Sequence, residues 1–217
     1  MNSALRILAA GIFVALPSMA ATCESLATLS MPGVTVTSAA SASAPVEFCR
    51  VKAVAKPVAD SEIQIEVWLP AAASWNGKLL GTGNGGYSGA MSIPAMQAAV
   101  KNGYAVAGSD TGHSGGELQF GQGHPEKIAD WAWRAVHVMT DVAKLTVRNY
   151  YGKFPQKAYF SGCSTGGQQA LSEAQRFPGD YDGIVAGDPG NDRIHLNIGF
   201  LWSWLATHEN GAEILPA

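Results

Sequence analysis

The chain has 217 residues, of which 47% are hydrophobic and 14% charged, and its formal net charge is −3. That length supports one sizeable core and is too short for two comfortable domains. The slightly acidic balance, without a run of Lys or Arg, gives no electrostatic basis for nucleic acid or an anionic membrane as a partner.

The first twenty residues differ from the rest of the chain. Arg6 is their only charged side chain, residues 7–16 form a short apolar stretch, and a small-x-small pattern ends at Ala20. This arrangement predicts a secretory signal peptide over residues 1–20, cleaved after Ala20. Ten apolar residues cannot cross a hydrocarbon core, which argues against a membrane anchor. We therefore expect a secreted or periplasmic protein.

Export would place all three cysteines in an oxidising compartment, where disulfides form. A disulfide between Cys23 and Cys49 would fix the N-terminal part of the chain. Cys163 is then left over, as a free thiol, an intermolecular bond or half of a disulfide whose partner is missing. No Cys/His pair has the spacing of a metal site, so we predict no metal in this segment.

The remaining chain is predicted to have two parts. Residues 21–60 are expected to form an N-terminal extended segment, and residues 30–46 within it are expected to be exposed, because they are rich in Ser, Ala, Thr and Val without an amphipathic pattern. Residues 61–217 alternate short apolar strands with helices. The predicted strands are 62–69, 78–81, 104–107, 158–160 and 183–186, and the predicted helices are 94–101, 127–151 and 168–177. This alternation predicts an α/β fold with a mainly parallel sheet.

The pentapeptide Gly-Cys-Ser-Thr-Gly at 162–166 follows a predicted strand and precedes a predicted helix. A G-x-S-x-G sequence in that setting is typical of a nucleophile elbow, in which a sharp turn exposes the serine hydroxyl. Ser164 is therefore predicted to be the nucleophile of an ester- or amide-cleaving enzyme. The structural alternative is an ordinary serine at a helix N-cap.

A second match to the pattern, at 112–116, contains Ser114. Glycines and a proline follow it, and they do not allow a helix to begin promptly. Ser114 is therefore predicted to be a loop serine.

Two backbone donors are predicted to stabilise an oxyanion next to Ser164. In an elbow, one is the N–H of the residue after the nucleophile, here Thr165, and the other comes from a loop after an earlier strand. The glycine-rich loop 83–89 fits that second position, because glycines let the backbone approach a substrate oxygen. The alternatives are a surface turn or a phosphate loop, although the glycine spacing matches neither phosphate motif.

The acid and base of a catalytic triad are not assigned. Only 53 residues follow Ser164, and several strands should separate the nucleophile from its partners. That stretch includes Asp180, Asp182, Asp188, Asp192, His195 and His208. Turn formation or capping explains Asp180 and Asp182, and a surface or packing position explains the two histidines.

Several motifs taken together resemble the tannase/feruloyl esterase family, which includes the hydrolase of mono(2-hydroxyethyl) terephthalate. The segments with this resemblance are 75–78, 109–113, 159–167, 176–178 and 181–190. The resemblance implies an α/β-hydrolase core and hydrolysis of aromatic esters, of hydroxycinnamoyl or galloyl type, through an acyl-enzyme. Alternatives are a thioesterase or peptidase on the same fold, and a non-catalytic binding module.

The resemblance also implies roles for particular residues. The oxyanion donors become the N–H groups of Thr165 and Gly86, and Cys23 and Cys49 match a disulfide of the family. Cys163 matches a cysteine bonded to one directly after the catalytic histidine, which would lie beyond residue 217.

Family members further contain a lid with a structural calcium, inserted near the end of this chain. We therefore expect the 217 residues to be the N-terminal part of a longer esterase, truncated before the lid and the last strands. They would have little activity alone, bind a small aromatic ester substrate when completed, and hold no cofactor within this segment.

Overall fold

A computed structural model describes residues 21–214. The predicted signal peptide, residues 1–20, lies outside the described residues. The strands of the main sheet are β1 (Val34–Ala42), β2 (Phe48–Ala55), β3 (Ile63–Pro70), β4 (Lys78–Thr82), β5 (Ala105–Ser109), β6 (Lys157–Cys163) and β7 (Gly183–Gly187). The helices are α1 (Ile93–Lys101), α2 (Pro125–Ala129), α3 (Ala135–Tyr151), α4 (Thr165–Arg176) and α5 (Arg193–Thr207). Two short strands, β8 (His208–Glu209) and β9 (Ala212–Glu213), follow α5 as a hairpin.

The seven strands have the order β1-β2-β3-β5-β4-β6-β7. The first three pair antiparallel with their neighbours, and β5, β4, β6 and β7 are parallel to one another. This confirms the predicted α/β fold, and the elbow strand β6 lies within the parallel part. Because parallel strands present their carboxyl ends at one edge, the loops after β4, β5, β6 and β7 meet there.

The N-terminal segment 21–60 contains two strands of the main sheet, and β2 is largely buried. This strand pairs with β3 along its full length, from Phe48 opposite Pro70 to Ala55 opposite Ile63. Its residues Cys49, Val51, Ala53 and Ala55 are buried, an alternation with the period of two that one face of a strand requires. The boundary at residue 60 therefore lies between two paired strands of one sheet.

A disulfide joins Cys23 to Cys49, as predicted, with 5.5 Å between the two Cα atoms. Both cysteines are buried, and the bond connects the 3-10 turn Glu24–Thr28 to β2. The N-terminal end of the described chain is thus covalently held against the sheet.

Replacing both Cys23 and Cys49 by alanine is expected to lower the free energy of unfolding by about 3 kcal/mol, because the unfolded chain loses a cross-link over a loop of this length. Urea unfolding of the variant and of the wild type, each with and without reductant, measures the difference. Reductant should weaken the wild type alone. A variant as stable as the oxidised wild type would show that the disulfide adds nothing.

The single helix predicted for 127–151 is interrupted. A π-helical turn at Asp130–Arg134 separates α2 from α3. At this turn the Asp130 carboxylate is buried and accepts hydrogen bonds from the Ser61 hydroxyl and from Nε of Arg134, both at 2.5 Å. Helical periodicity predicted the helix but not the register change, where Asp130 contacts Ser61, a residue distant in sequence.

Among residues 21–214, no helix is both long enough and apolar enough to span a bilayer.

Candidate active site

Ser164 lies on the turn between β6 and α4 with φ 61° and ψ −115°. A non-glycine residue rarely adopts a positive φ, and such strained conformations cluster at functional sites. Two backbone hydrogen bonds stabilise the turn: the Ser164 N–H donates to Gly187, and its carbonyl accepts from the Gly190 N–H, both at 3.0 Å. The side chain is exposed at the carboxyl edge of the sheet. This is the geometry that the elbow motif predicts.

The turn depends on glycines, because strand and helix approach each other closely. A Cβ atom on Gly162 would overlap the backbone carbonyl of Gly166, and one on Gly167 would overlap the carbonyl oxygen of Gly187. A Cβ on Gly83 would lie 2.6 Å from the Gly166 Cα atom, so the loop after β4 also packs directly on the elbow.

Asn84 fixes the loop after β4. Its N–H donates to Oε1 of the fully buried Gln169 on α4 at 3.0 Å, and its side-chain amide donates to the carbonyls of Ala90 and Ser109 at 2.8 Å. These bonds connect the loop to α4, the helix that follows Ser164, and to β5. Because Asn84 and Gln169 are far apart in sequence, motif reading did not find this pair.

The two predicted oxyanion donors, the N–H groups of Thr165 and Gly86, belong to the two segments that the Asn84–Gln169 hydrogen bond joins. Thr165 is the first residue of α4, where backbone N–H groups have no acceptor within the helix. Gly86 is exposed, and its φ of 58° favours glycine. Among residues 21–214 neither N–H donates to a protein acceptor. Both donors are therefore available to a ligand at this edge.

Arg193, at the start of α5, was not predicted and contacts both parts of the site. Its Nη2 donates to the Thr165 hydroxyl at 2.5 Å. Its guanidinium lies 5.4 Å from the ring centroids of Tyr87 and Trp131, which stack on each other. Arg193 thereby connects the nucleophile helix to the residue that follows Gly86. No local motif marks it.

Within the described part of the chain, the Ser164 hydroxyl has no hydrogen-bond partner, and no histidine contacts it. The buried His113 has Nε2 2.8 Å from the Tyr87 carbonyl oxygen, so it supports the loop. The exposed His195 pairs with Asp192 at 2.6 Å. Ser114 is exposed in a loop, and the next α-helix begins only at Pro125, as predicted.

The family model for tannase and feruloyl esterase matches residues 49–217. The chain belongs to this tannase and feruloyl esterase family. An uncharacterised esterase of Xanthomonas campestris is 39% identical over 98% of this chain and 40% of its own length. A probable feruloyl esterase B-2 of Aspergillus flavus is 38% identical over 75% of this chain and 30% of its own length.

Solved structures agree with this assignment. Feruloyl esterase B from Aspergillus oryzae superposes with a TM-score of 0.82 and 32% identity, covering 88% of this chain and 41% of that one. The α/β-hydrolase fold follows from this similarity. The chain spans less than half the length of the relatives it matches.

The family resemblance implies a structural calcium, which needs a set of oxygen ligands. Among residues 21–214, one group of three potential metal ligands occurs, formed by His137, Glu173 and Asp180. It contains a histidine nitrogen, whereas calcium prefers oxygen ligands. These residues therefore do not fit a calcium site of the tannase and feruloyl esterase family. Cys163, next to Ser164, is exposed and has no disulfide partner among the described residues.

Asp110 directly follows β5 and is buried, near the carboxyl edge of the sheet where Ser164 lies. Its Oδ1 accepts hydrogen bonds from the N–H groups of Gly112 at 2.8 Å and Gln64 at 2.9 Å. Burial raises the pKa of the Asp110 carboxyl to about 7, with a smaller contribution from the charge of Asp130, and the hydrogen bonds oppose the rise. The folded protein thus retains a proton on Asp110 over a pH range in which the unfolded chain has lost it.

Because the folded protein retains this proton, we expect the free energy of unfolding to fall as pH rises. The contribution of Asp110 is fully present below about pH 4 and is lost as pH rises through about 7, a difference of up to ~4 kcal/mol. Asp110→Asn keeps the Oδ1 acceptor and removes the titration. Urea unfolding from pH 4 to 8 should show a smaller decline for the variant than for the wild type. Parallel curves would contradict the prediction.

Proposed function

We propose that the protein is a secreted serine esterase that cleaves esters of aromatic carboxylic acids, of hydroxycinnamoyl or galloyl type, with Ser164 as nucleophile. The main support is the backbone at Ser164, whose positive φ exposes the hydroxyl on a strand-to-helix turn. Membership of the tannase and feruloyl esterase family supports the ester class of substrate. The Cys23–Cys49 disulfide is consistent with an oxidising compartment.

In the proposed reaction, the Ser164 hydroxyl attacks the ester carbonyl and transfers its proton to a general base. The tetrahedral oxyanion accepts hydrogen bonds from the Thr165 and Gly86 N–H groups, at the positive end of the α4 dipole. Collapse expels the alcohol and leaves an acyl group on Ser164, which water then removes. A single oxyanion donor contributes a factor of ~10²–10³ to kcat in hydrolases of this type.

The base and acid are proposed to come from polypeptide beyond residue 217. No histidine among residues 21–214 contacts Ser164. The helix α5 next to the site also exposes large apolar side chains, with Trp202 75% and Ile194 73% exposed, as expected of a surface that other parts of a protein cover. Residues 1–217 alone are therefore expected to have little activity.

Cys163 and the calcium fit the same proposal. The Cys163 thiol would form its disulfide with a cysteine in that further polypeptide, next to the base. The structural calcium would be held there too, outside the described residues. No step of the reaction proposed above requires it.

Hydrolysis assays on the full-length protein test the proposed substrate class. Methyl ferulate, methyl gallate and a p-nitrophenyl ester are compared with a thioester and a peptide of similar size. Turnover of at least one aromatic methyl ester, at a kcat/KM well above those for the thioester and the peptide, supports the proposal. Preference for either of the latter would assign a different acyl-transfer reaction, and no turnover of any substrate would favour a binding module.

A further inference from the structure

A second group of ionisable side chains lies at the far end of α4 from the nucleophile. His137 of α3, Glu173 of α4 and Asp180 of the connection to β7 each place one potential ligand atom within 4.8 Å of the other two. The closest pair is Nδ1 of His137 and Oδ2 of Asp180, at 2.7 Å. Glu173 follows Ser164 by about 13 Å along the helix axis, so the group is separate from the catalytic site.

Glu173 is the unusual member of the group. Its side chain is fully buried, and neither carboxylate oxygen has a hydrogen-bond partner among the described residues. A buried carboxylate without a donor is costly, and such a group requires an explanation. The only cation near the group is Lys144, whose Nζ is 3.8 Å from Oδ1 of Asp180 in the described structure.

Charge and ligand type both favour a divalent cation here. Three carboxyl groups, those of Glu173, Asp180 and the neighbouring Asp141, lie in or next to the group, together with one lysine, Lys144. One imidazole nitrogen and two carboxylate oxygens form a ligand set that suits zinc or another first-row divalent metal. We propose that His137, Glu173 and Asp180 form a structural site for a divalent transition metal, with zinc as the best fit.

A carboxylate lies near the other ring nitrogen of His137. Its Nε2 is 3.8 Å from Oδ2 of Asp141, one helical turn along α3, which is longer than a hydrogen bond and would shorten to one in the metal-bound site. Metal-binding histidines usually donate their other ring N–H to a carboxylate, which fixes the tautomer and the ring. Phe177 stacks on the imidazole at 3.7 Å and restricts its rotation further. Ligands of a tetrahedral zinc lie roughly 3.4 Å apart at zinc–ligand distances of ~2.1 Å, so rotamer adjustments of about an ångström would place the three protein ligands, with water as the fourth.

The site would connect three elements that position the elbow. One ligand comes from α3, one from α4 and one from the turn before β7. Gly187, the last residue of β7, accepts the hydrogen bond of the Ser164 N–H. A metal here would stabilise the fold without touching the substrate. The inference does not depend on the proposed esterase reaction, because its readouts are metal content and stability.

Zinc binding to the full-length protein tests the site. The protein is stripped with chelator, saturated with calcium so that any calcium site is filled, and titrated with zinc at pH 7.5. We expect one zinc per chain to be retained in equilibrium dialysis and the Tm to rise by about 2 °C or more at a hundredfold excess over Kd. Cobalt in place of zinc should give the visible absorption of a tetrahedral site.

Three variants decide whether these residues bind the metal. Glu173→Gln, which preserves side-chain volume, and His137→Ala should each lose the Tm rise and the cobalt spectrum. His195→Ala removes the exposed His195–Asp192 pair, which has no third ligand, and should keep both. Absence of zinc retention by the wild type, or an undiminished response in Glu173→Gln, would overturn the proposal. Glu173 would then be a neutral acid sharing a proton with Asp180.

Discussion

Replacing Ser164 by alanine in the full-length protein is expected to lower kcat for methyl ferulate by about 10⁴-fold or more. The acyl-enzyme cannot form without the hydroxyl, and serine hydrolases lose activity on this scale when the nucleophile is removed. The urea midpoint should stay near that of the wild type, since the exposed hydroxyl makes no hydrogen bond among the described residues and alanine retains the Cβ atom. Assays and unfolding are measured on the same preparation.

Ser114→Ala is the matched control for that variant. Ser114 occupies the same position in a second G-x-S-x-G sequence, and it is exposed in a loop. Its replacement should leave kcat and KM within about twofold of the wild type. If Ser114→Ala abolished activity and Ser164→Ala did not, the assignment of the nucleophile would be wrong.

Gly162→Ala is expected to cause a large loss of stability at the elbow. The new Cβ would collide with the Gly166 backbone, which cannot move without displacing the first turn of α4. Backbone overlap of this kind costs more than ordinary overpacking, so we expect the free energy of unfolding to fall by about 3 kcal/mol or more. Urea unfolding followed by circular dichroism measures it.

Gly116→Ala provides the comparison for the same added methyl group. A Cβ atom on Gly116 meets no atom within 4 Å, and its φ is not positive. This variant should change the free energy of unfolding by no more than ~0.5 kcal/mol. Equal stability of the two variants would mean that strand and helix are not closely packed at the elbow.

The elbow was predictable because its requirements are local. All of its features lie within about twenty residues of sequence. They are an apolar strand, a serine between glycines that permit close packing, and a helix after it. The same local information separated Ser164 from Ser114, since a helix-forming run follows Ser164, whereas further glycines and a proline follow Ser114. The alternating strands and helices from residue 62 onward were predictable for the same reason.

The features that were missed depend on contacts between distant residues. The hydrogen bonds of Asn84 with Gln169 and of Arg193 with Thr165 determine how the loop after β4 lies on the nucleophile helix. Neither pair has a sequence signature. The strand β2 was missed because its alternation is short and interrupted by Val54, and its burial comes from pairing with β3.

Trapping the acyl-enzyme tests the central claim most directly. The full-length protein is mixed with excess methyl ferulate, quenched in acid within milliseconds and digested for mass spectrometry. We predict a feruloyl adduct on the peptide that contains Ser164, formed in a burst of about one equivalent and missing from Ser164→Ala. Turnover of the ester with no adduct on that peptide, or with the adduct on another residue, would contradict the assignment of Ser164 as the nucleophile.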